Sequence, residues 1–280
     1  MYPVSIIIPV HNRSNELERA ILSVLAQTYQ EFEIIVVDDG STDSPEEVYR
    51  RCQDSRIKFY SIPHSGVSAA RNFGVEKSSY EHIAFLDSDD EWLPEKLESQ
   101  IDALQKNPQY IICYTGESWI RNGQPFPHRK SRRKFSGWVF DHCLEDCFIG
   151  CSTMLMEKRL FCEVGGFDAG LPVCEDYDLW LKISAKYPML LVPDQLIRKH
   201  GGHSDQLSNR FWGKDRFRLS ALCNLIGSGI LSDAQRQAVS VVFLHKCTLV
   251  AGGCLKRNRY KEFAYYVSLL QQKKCLEISA

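Results

Sequence analysis

The sequence has no unbroken apolar run approaching the roughly 18–20 residues that cross a bilayer. Its most apolar late stretch, residues 238–254, is interrupted by His245 and Lys246. No basic segment precedes the first apolar run at residues 4–8, so no signal peptide is expected. None of the eleven cysteines forms a CxxC pair, which excludes a zinc ribbon. An odd number of scattered cysteines in a chain of 280 residues reads as small packing residues in a reducing cytosol. A cytoplasmic location with every thiol reduced is therefore expected. Cys143, Cys147 and Cys151 are spaced by four, which would align them on one helical face. There is no internal repeat and no low-complexity tract. With 44% apolar and 25% charged residues, disorder, collagen and coiled coil are excluded. No nucleic-acid partner is expected of a chain with net charge −1. That balance conceals an asymmetry. Residues 210–280 hold 12 Lys and Arg against 4 Asp and Glu, while the rest hold 22 against 31. Such a basic end suits an anionic surface or is a solvated helical face.

What is present is an alternation of strand and helix. Residues 4–8 (Val-Ser-Ile-Ile-Ile) and 33–37 (Glu-Ile-Ile-Val-Val) read as buried strands, the first ended by Pro9. Between them Leu17, Ala20, Ile21, Val24 and Leu25 mark one helical face, with Asn15 as N-cap and Glu18 as its capping-box partner. Helices are predicted over 45–53, from about Val67, and over 94–106; strands are predicted near 57–62 and over 83–86. Further strands are plausible at 110–115 and 152–156, and residues 174–178 open another helix. Three helices follow, at about 211–226, 233–251 and 258–272. Continuous apolar strands alternating with helices predict a parallel sheet covered on both faces.

Polar residues gather where the predicted strands end: His11-Asn12, Asp38-Asp39 and Asp87 to Asp90. In open α/β sheets ligands bind beyond the carboxyl ends of the strands, so these clusters predict one site. Asp87-Ser88-Asp89 places two carboxylates one residue apart. Such carboxylates repel unless a cation lies between them, and a hard divalent ion holding phosphate oxygens is the usual solution. The competing reading is a helix N-cap cluster before Pro94. Asp38-Asp39-Gly40-Ser41 reads either as an Asx turn or as a turn whose carboxylate meets a nucleobase. Arg71 can fork onto a diphosphate or a carboxylate. A basic loop, residues 128–134, suits an anionic acceptor, a membrane surface or plain solvation.

Five segments stand in register with a known pattern: Ile8-Pro9-Val10-His11-Asn12, Val37-Asp38-Asp39-Gly40-Ser41, Ala69-Ala70-Arg71-Asn72, Phe85-Leu86-Asp87-Ser88-Asp89-Asp90 and Glu175-Asp176-Tyr177-Asp178-Leu179-Trp180. On these segments the chain closely resembles a family 2 glycosyltransferase of the GT-A fold, over residues 4 to about 208. The resemblance implies a Rossmann-like, mostly parallel sheet over residues 1–208; beyond it the helical pattern itself predicts an appended helical region over 209–280. The resemblance also implies an inverting transfer from a nucleotide-diphospho-sugar, most often a uridine one, to an acceptor hydroxyl in surface polysaccharide or glycoconjugate assembly, with Mn²⁺ or Mg²⁺ as cofactor. Pro9, His11 and Asn12 would then lie in the base pocket, and Asp39, beside Asp38, would hydrogen-bond the base. Arg71 would hold the base-binding loop or the phosphates. Asp87, with Ser88, would meet the ribose. Asp89 would hold the metal. Asp176, paired with Glu175, would be the general base. His203 resembles a late histidine that some members place on the metal or diphosphate, with His200 its competitor.

One departure stands out. Many members have Asn two residues before the glycine of the third loop, where this chain has His64-Ser65-Gly66; that leaves the choice of uracil open. The acceptor, whether glycan, lipid-linked or other, is not legible, because acceptor sites are built from loops. Peripheral membrane contact through the basic C-terminal helices is a further expectation. Two other readings use the same acidic cluster: an inactive nucleotide-sugar-binding scaffold, and a metal-dependent phosphatase or nuclease.

Overall fold

The computed structural model describes residues 2–126, 133–202 and 211–271. Its first half runs β1 (Val4–Val10), α1 (Ser14–Leu25), β2 (Phe32–Asp39), α2 (Pro45–Cys52), β3 (Ile57–Ile62), α3 (Val67–Lys77) and β4 (His82–Phe85). These strands lie in the order β3-β2-β1-β4, every pair parallel. β1 shows why the segment is a buried strand. Ile7 enters the core on one face of the sheet, and Val4, Ile6, Ile8 and Val10 enter the core on the other. Each such side chain stabilises the fold by about 1.5–3 kcal/mol through removal from water. Helix α1 turns Leu17, Ala20, Ile21 and Val24 inward, as their spacing predicts.

The second half is mixed. β5 (Asp90–Trp92), α4 (Lys96–Lys106), β6 (Ile112–Arg121), β7 (Gln124–Phe126), α5 (Phe140–Glu145), β8 (Met154–Glu157), α6 (Lys158–Glu163), α7 (Glu175–Ser184) and β9 (Leu190–Gly201) extend the sheet as β4-β8-β6-β9-β5, with β7 beside β6. β8 is antiparallel to both β4 and β6, β5 is antiparallel to β9, and β6 runs parallel to β9. The parallel sheet expected from the sequence is thus confined largely to its first four strands.

Several local expectations are corrected. Pro9 does not end β1 but lies inside it, opposite Val37; its missing N–H costs nothing, because β4 stops opposite Ile7. Asn15 is not the N-cap of α1. The helix begins at Ser14, whose N–H and hydroxyl are held by Asp43 from the next loop, at 2.8 Å each. Asp38 and Asp39 belong to β2 itself. Of the three cysteines spaced by four, only Cys143 is in a helix, α5. Cys147 lies in the loop after it and Cys151 starts a separate 3-10 turn. None of the ten described cysteines is bonded to another of them.

Three helices follow: α8 (Asp215–Gly227), α9 (Asp233–Lys256) and α10 (Tyr260–Gln271). They are not a separate bundle. Leu219, Leu222, Leu225 and Phe243 join one hydrophobic cluster with Tyr177, Trp180 and Ile183 of α7.

Candidate active site

The carboxyl ends of β1, β2 and β4 open into one cleft of about 810 Å³, a volume suited to a nucleotide-sized ligand. Its first end is built on Asp39. One carboxylate oxygen accepts the Ser65 N–H at 2.6 Å and the other accepts the Gly66 N–H at 2.9 Å. Asp39 thereby pins the third loop to the second strand. The Nδ1 atoms of His11 and His64 both lie against the Asp39 carbonyl, at 2.7 and 3.0 Å, and the two rings stack at 4.1 Å. A carbonyl accepts an N–H, so each ring carries a proton on Nδ1, and the Nε2 of His11 lies 3.1 Å from the Asn12 amide nitrogen. Gly40 makes this packing possible. Its φ is +68°, and a Cβ there would lie 2.8 Å from the His64 nitrogen.

Two predicted residues of this end do not line the cleft. Asp38 spends its carboxylate on the Ser41 N–H at 2.9 Å and the Ser61 hydroxyl at 3.0 Å. Asn12 bridges loops, accepting the Thr42 N–H at 2.7 Å. Both shape the pocket from behind. Pro9 and His11 line it.

Midway lies Arg71, fully buried. Its guanidinium donates to Asp87 Oδ1 at 2.6 Å and to Glu175 Oε1 at 2.8 Å, and stands over the Phe167 ring. It forks onto two carboxylates through its two terminal nitrogens, while its buried Nε has no partner among the described residues. The DxD acids and the Glu-Asp pair, distant in sequence, are tied together by one side chain.

The turn after β4 carries Asp87, Ser88, Asp89 and Asp90 into the cleft. Each acid is balanced differently. Burial raises the Asp87 carboxyl, but Arg71, Lys199 and Arg13 outweigh it and hold it below its usual range. Burial raises Asp89, with Asp87 adding to the shift against the pull of Arg13, whose guanidinium it meets. Asp90 is pushed up to about 8 by burial and by its two acidic neighbours, against Lys199. It accepts from the Ser152 hydroxyl at 2.6 Å, and the same hydroxyl receives the Asp87 N–H at 3.1 Å.

Lys199 is a residue sequence reasoning missed. It is half-buried on β9 with its ammonium 3.8 Å from Asp90, and the downward push of desolvation on it is overcome by Asp90, Glu117 and Asp87. A Cβ on Gly150 would lie 2.9 Å from this ammonium, so the lysine is boxed in. Lys134, the last residue of the basic loop, is turned inward onto Glu117; residues 128–132 lie outside the described residues. His200 lines the cleft beside Lys199, and burial followed by Arg19 lowers its imidazole, which rests 3.4 Å from Glu91. His203 lies outside the described residues. Arg13, directly after Asn12, was also missed.

At the far wall α7 begins with Glu175 and Asp176. Burial and Asp176 raise Glu175 despite Arg71. Asp176 accepts its neighbour's N–H, from Tyr177, at 2.7 Å and faces the cleft. Cys147, Cys151 and Cys174 line this wall, all with thiols raised by burial. Phe211, Lys214 and Arg218 complete it from the C-terminal region. The division expected at 208/209 therefore runs through the cleft.

The acids suit a hard divalent cation. Asp87 and Asp89 offer oxygen ligands, and an ion of this kind takes one or two carboxylates and completes its shell with substrate phosphate and water. Arg13 already neutralises Asp89 and must share it. Among the described residues, His11, Asp39 and His64 also bring ligand atoms within 4.8 Å of one another, but there the histidine protons on Asp39 account for the convergence.

Comparison with known proteins follows the same lines. The profile of the family described as "Glycosyl transferase family 2" matches residues 5–161. An uncharacterized glycosyltransferase of Rickettsia bellii is 38% identical over 184 residues, covering 65% of this chain and 26% of its own length. The UDP-Glc:alpha-D-GlcNAc-diphosphoundecaprenol beta-1,3-glucosyltransferase WfgD of Escherichia coli is 36% identical over 183 residues, covering 65% and 70%. Staphylococcus aureus TarS 1–349 in complex with UDP-GlcNAc superposes with a TM-score of 0.72 at 19% identity, covering 87% of this chain and 72% of that one. The chain spans only 26 to 38% of the length of three of its Rickettsia relatives.

Proposed function

The chain belongs to glycosyl transferase family 2 and has its GT-A fold, and from that premise we propose that it transfers a sugar, with inversion, from a UDP-sugar to an acceptor hydroxyl in polysaccharide or glycoconjugate assembly at the cytoplasmic face of a membrane. One observation carries the reading: the Asp39 loop, the Asp87–Asp89 turn and Asp176 share one cleft, with Arg71 joining the last two. The base is received at the His11–His64 end, where the His64 Nε2 can accept an N–H from the base while that of His11 is held by the Asn12 amide. The diphosphate lies toward Asp87, Asp89, Arg13 and Lys199. WfgD, by its name, acts on a diphosphoundecaprenol-linked sugar, and a lipid-linked acceptor is our reading for this chain also.

The reaction then needs a base on the side of the anomeric carbon away from the diphosphate. Asp176 takes the proton of the acceptor hydroxyl. The acceptor oxygen bonds to the anomeric carbon while the bond from that carbon to the diphosphate oxygen breaks, its electron pair leaving with the diphosphate. Glu175, buried and paired with Arg71, positions Asp176 rather than replacing it. Lys199 and Arg13 supply fixed positive charge near the departing oxygens. Asp87 and Asp89 would hold Mn²⁺ or Mg²⁺, with His200 on the same wall, and the ion would add Lewis-acid charge there.

Thermal-shift measurement against UDP, GDP, dTDP and CDP, with and without Mn²⁺, tests this. Stabilisation by UDP that requires Mn²⁺, followed by slow hydrolysis of one UDP-sugar, is expected. Binding without any turnover would leave the inactive scaffold, and no response to any nucleotide would overturn the reading.

A further inference from the structure

Helix α9 is apolar around most of its circumference. It is 24 residues long, and its most apolar 18-residue window, with a mean hydropathy of 1.7, meets the length and composition of a bilayer-crossing helix. Its inner side is committed to protein, with Val239, Phe243, Cys247, Val250 and Cys254 in the core. Lys246, on that same side, reaches the Glu145 carbonyl at 3.4 Å and Asp215 at 3.5 Å. The outer side is the anomaly. Val241, Leu244, Leu249 and Leu255 are exposed, Val241 by 63%. From Val241 to Leu255, roughly 21 Å of helix, the other exposed residues are His245 and Thr248, and none is Asp, Glu, Lys or Arg. A face of this kind on solvent marks an interaction surface.

The charge at its end says what covers it. Lys256 and Arg257 close α9 and Lys261 follows on α10, all exposed. Among the described residues none of the three has an acidic partner, since Glu262 is taken by Arg259. Tyr260 and Tyr265 are exposed beside them, by 62% and 58%. Aliphatic stripe, cations and exposed tyrosines together are the composition of a helix lying in a membrane interface. We propose that the outer face of α9 docks on an anionic lipid bilayer, with Val241, Leu244, Leu249 and Leu255 at the acyl boundary and Lys256, Arg257 and Lys261 among the headgroups. A second copy is a poorer complement, because α9 itself offers one exposed acid, Asp233, to those three cations. The inner side of the helix leads to the cleft. Lys246 meets Asp215, and Asp215 and Asp146 hold Arg218 at the wall near Asp176.

The surface stands independently of the proposed reaction, and its test reads binding alone. The full chain is sedimented with vesicles of phosphatidylcholine and phosphatidylglycerol, and with phosphatidylcholine alone. Binding to the anionic vesicles that weakens between 50 and 500 mM salt is expected. Each cation near such a surface contributes about fivefold, so K256Q/R257Q/K261Q should lower partition by about 100-fold. V241E/L249E should lower it at least tenfold. Both variants alter exposed residues and should melt within 2–3 °C of the parent, by analogy with other surface substitutions. No partition into anionic vesicles, or partition unchanged in V241E/L249E, overturns the proposal. A dimer in sedimentation equilibrium that V241E/L249E dissociates, without vesicle binding, assigns the face to a second copy and also overturns it.

Discussion

Replacing Arg71 by leucine should destabilise the protein in a way that depends on pH. The guanidinium is buried between Asp87 and Glu175, with Asp176 close enough to raise Glu175 further. Leucine fills similar space but leaves the buried Glu175 without its cation and leaves the half-buried Asp87 with only Lys199 and Arg13. Breaking a buried pair by removing one partner costs about 3–5 kcal/mol, which for a chain of this size lowers Tm by roughly 6–12 °C. The pH dependence identifies the cause. In the parent, Asp87 sits below its ordinary value, so it contributes stability that is present above about pH 4 and lost as pH falls through its folded value. In R71L both carboxyls rise, and Glu175, already raised in the parent, stands further above its unfolded value. The folded state then binds protons more tightly than the unfolded one, and its stability increases as pH falls from 7.5 toward about 5. The deficit measured by urea denaturation should shrink between pH 7.5 and 5.5. R71K, which keeps the charge without the fork, should lose less at pH 7.5. A loss under 1 kcal/mol, or one equal at both pH values, would refute the bridging role.

Other outcomes follow from the cleft. Asp176→Asn should keep UDP affinity within about twofold while transfer falls by roughly 10²–10⁴-fold; a donor titration and a turnover assay on the same variant check this, and near-normal transfer would remove Asp176 as the base. Asp89→Ala should abolish Mn²⁺-dependent stabilisation by UDP, read by calorimetry, because the ion loses a charged ligand; unchanged metal-dependent binding would remove Asp89 from the site. Gly40→Ala should cost about 1–3 kcal/mol, since it strains a φ of +68° and drives a Cβ to 2.8 Å from the His64 nitrogen; chemical denaturation measures this, and a neutral effect would contradict the packing of the two histidines.

β1, β2 and β4 were legible because their apolar runs are nearly continuous, and β3 because its aromatic and β-branched residues stand between turn signals. So was the convergence of Asp39 and Asp87, since a parallel sheet gathers its strand ends; Asp176, at the start of α7, was placed through the family resemblance. β9 was not legible. Its twelve residues, Leu-Leu-Val-Pro-Asp-Gln-Leu-Ile-Arg-Lys-His-Gly, contain an internal proline and a polar middle, and the strand is defined by its pairing with β6 and β5 rather than by local pattern. Lys199 was missed with it, although Arg198-Lys199-His200 is a polar run where an apolar one was due. Asp38 and Asn12 were assigned to the ligand because a sequence shows a residue's type and not which way it faces. The capping of α1 by Asp43 was hidden for a related reason: the partner comes from the next loop.

The pairing of β5 with β9 sets an order of assembly. Asp90 faces Lys199 across that pair, so the cation that balances the acidic turn is synthesised far later than the acids. A nascent chain that has emerged only through β8 can form the parallel half of the sheet, yet it holds Asp87, Asp89 and Asp90 with only Arg13, Arg19 and Arg71 nearby. Closing so long a loop is slow compared with local strand–helix pairing. The cleft thus matures after the parallel half of the sheet, and a chain truncated before β9 would keep much of its secondary structure while lacking the cation that balances the acidic turn.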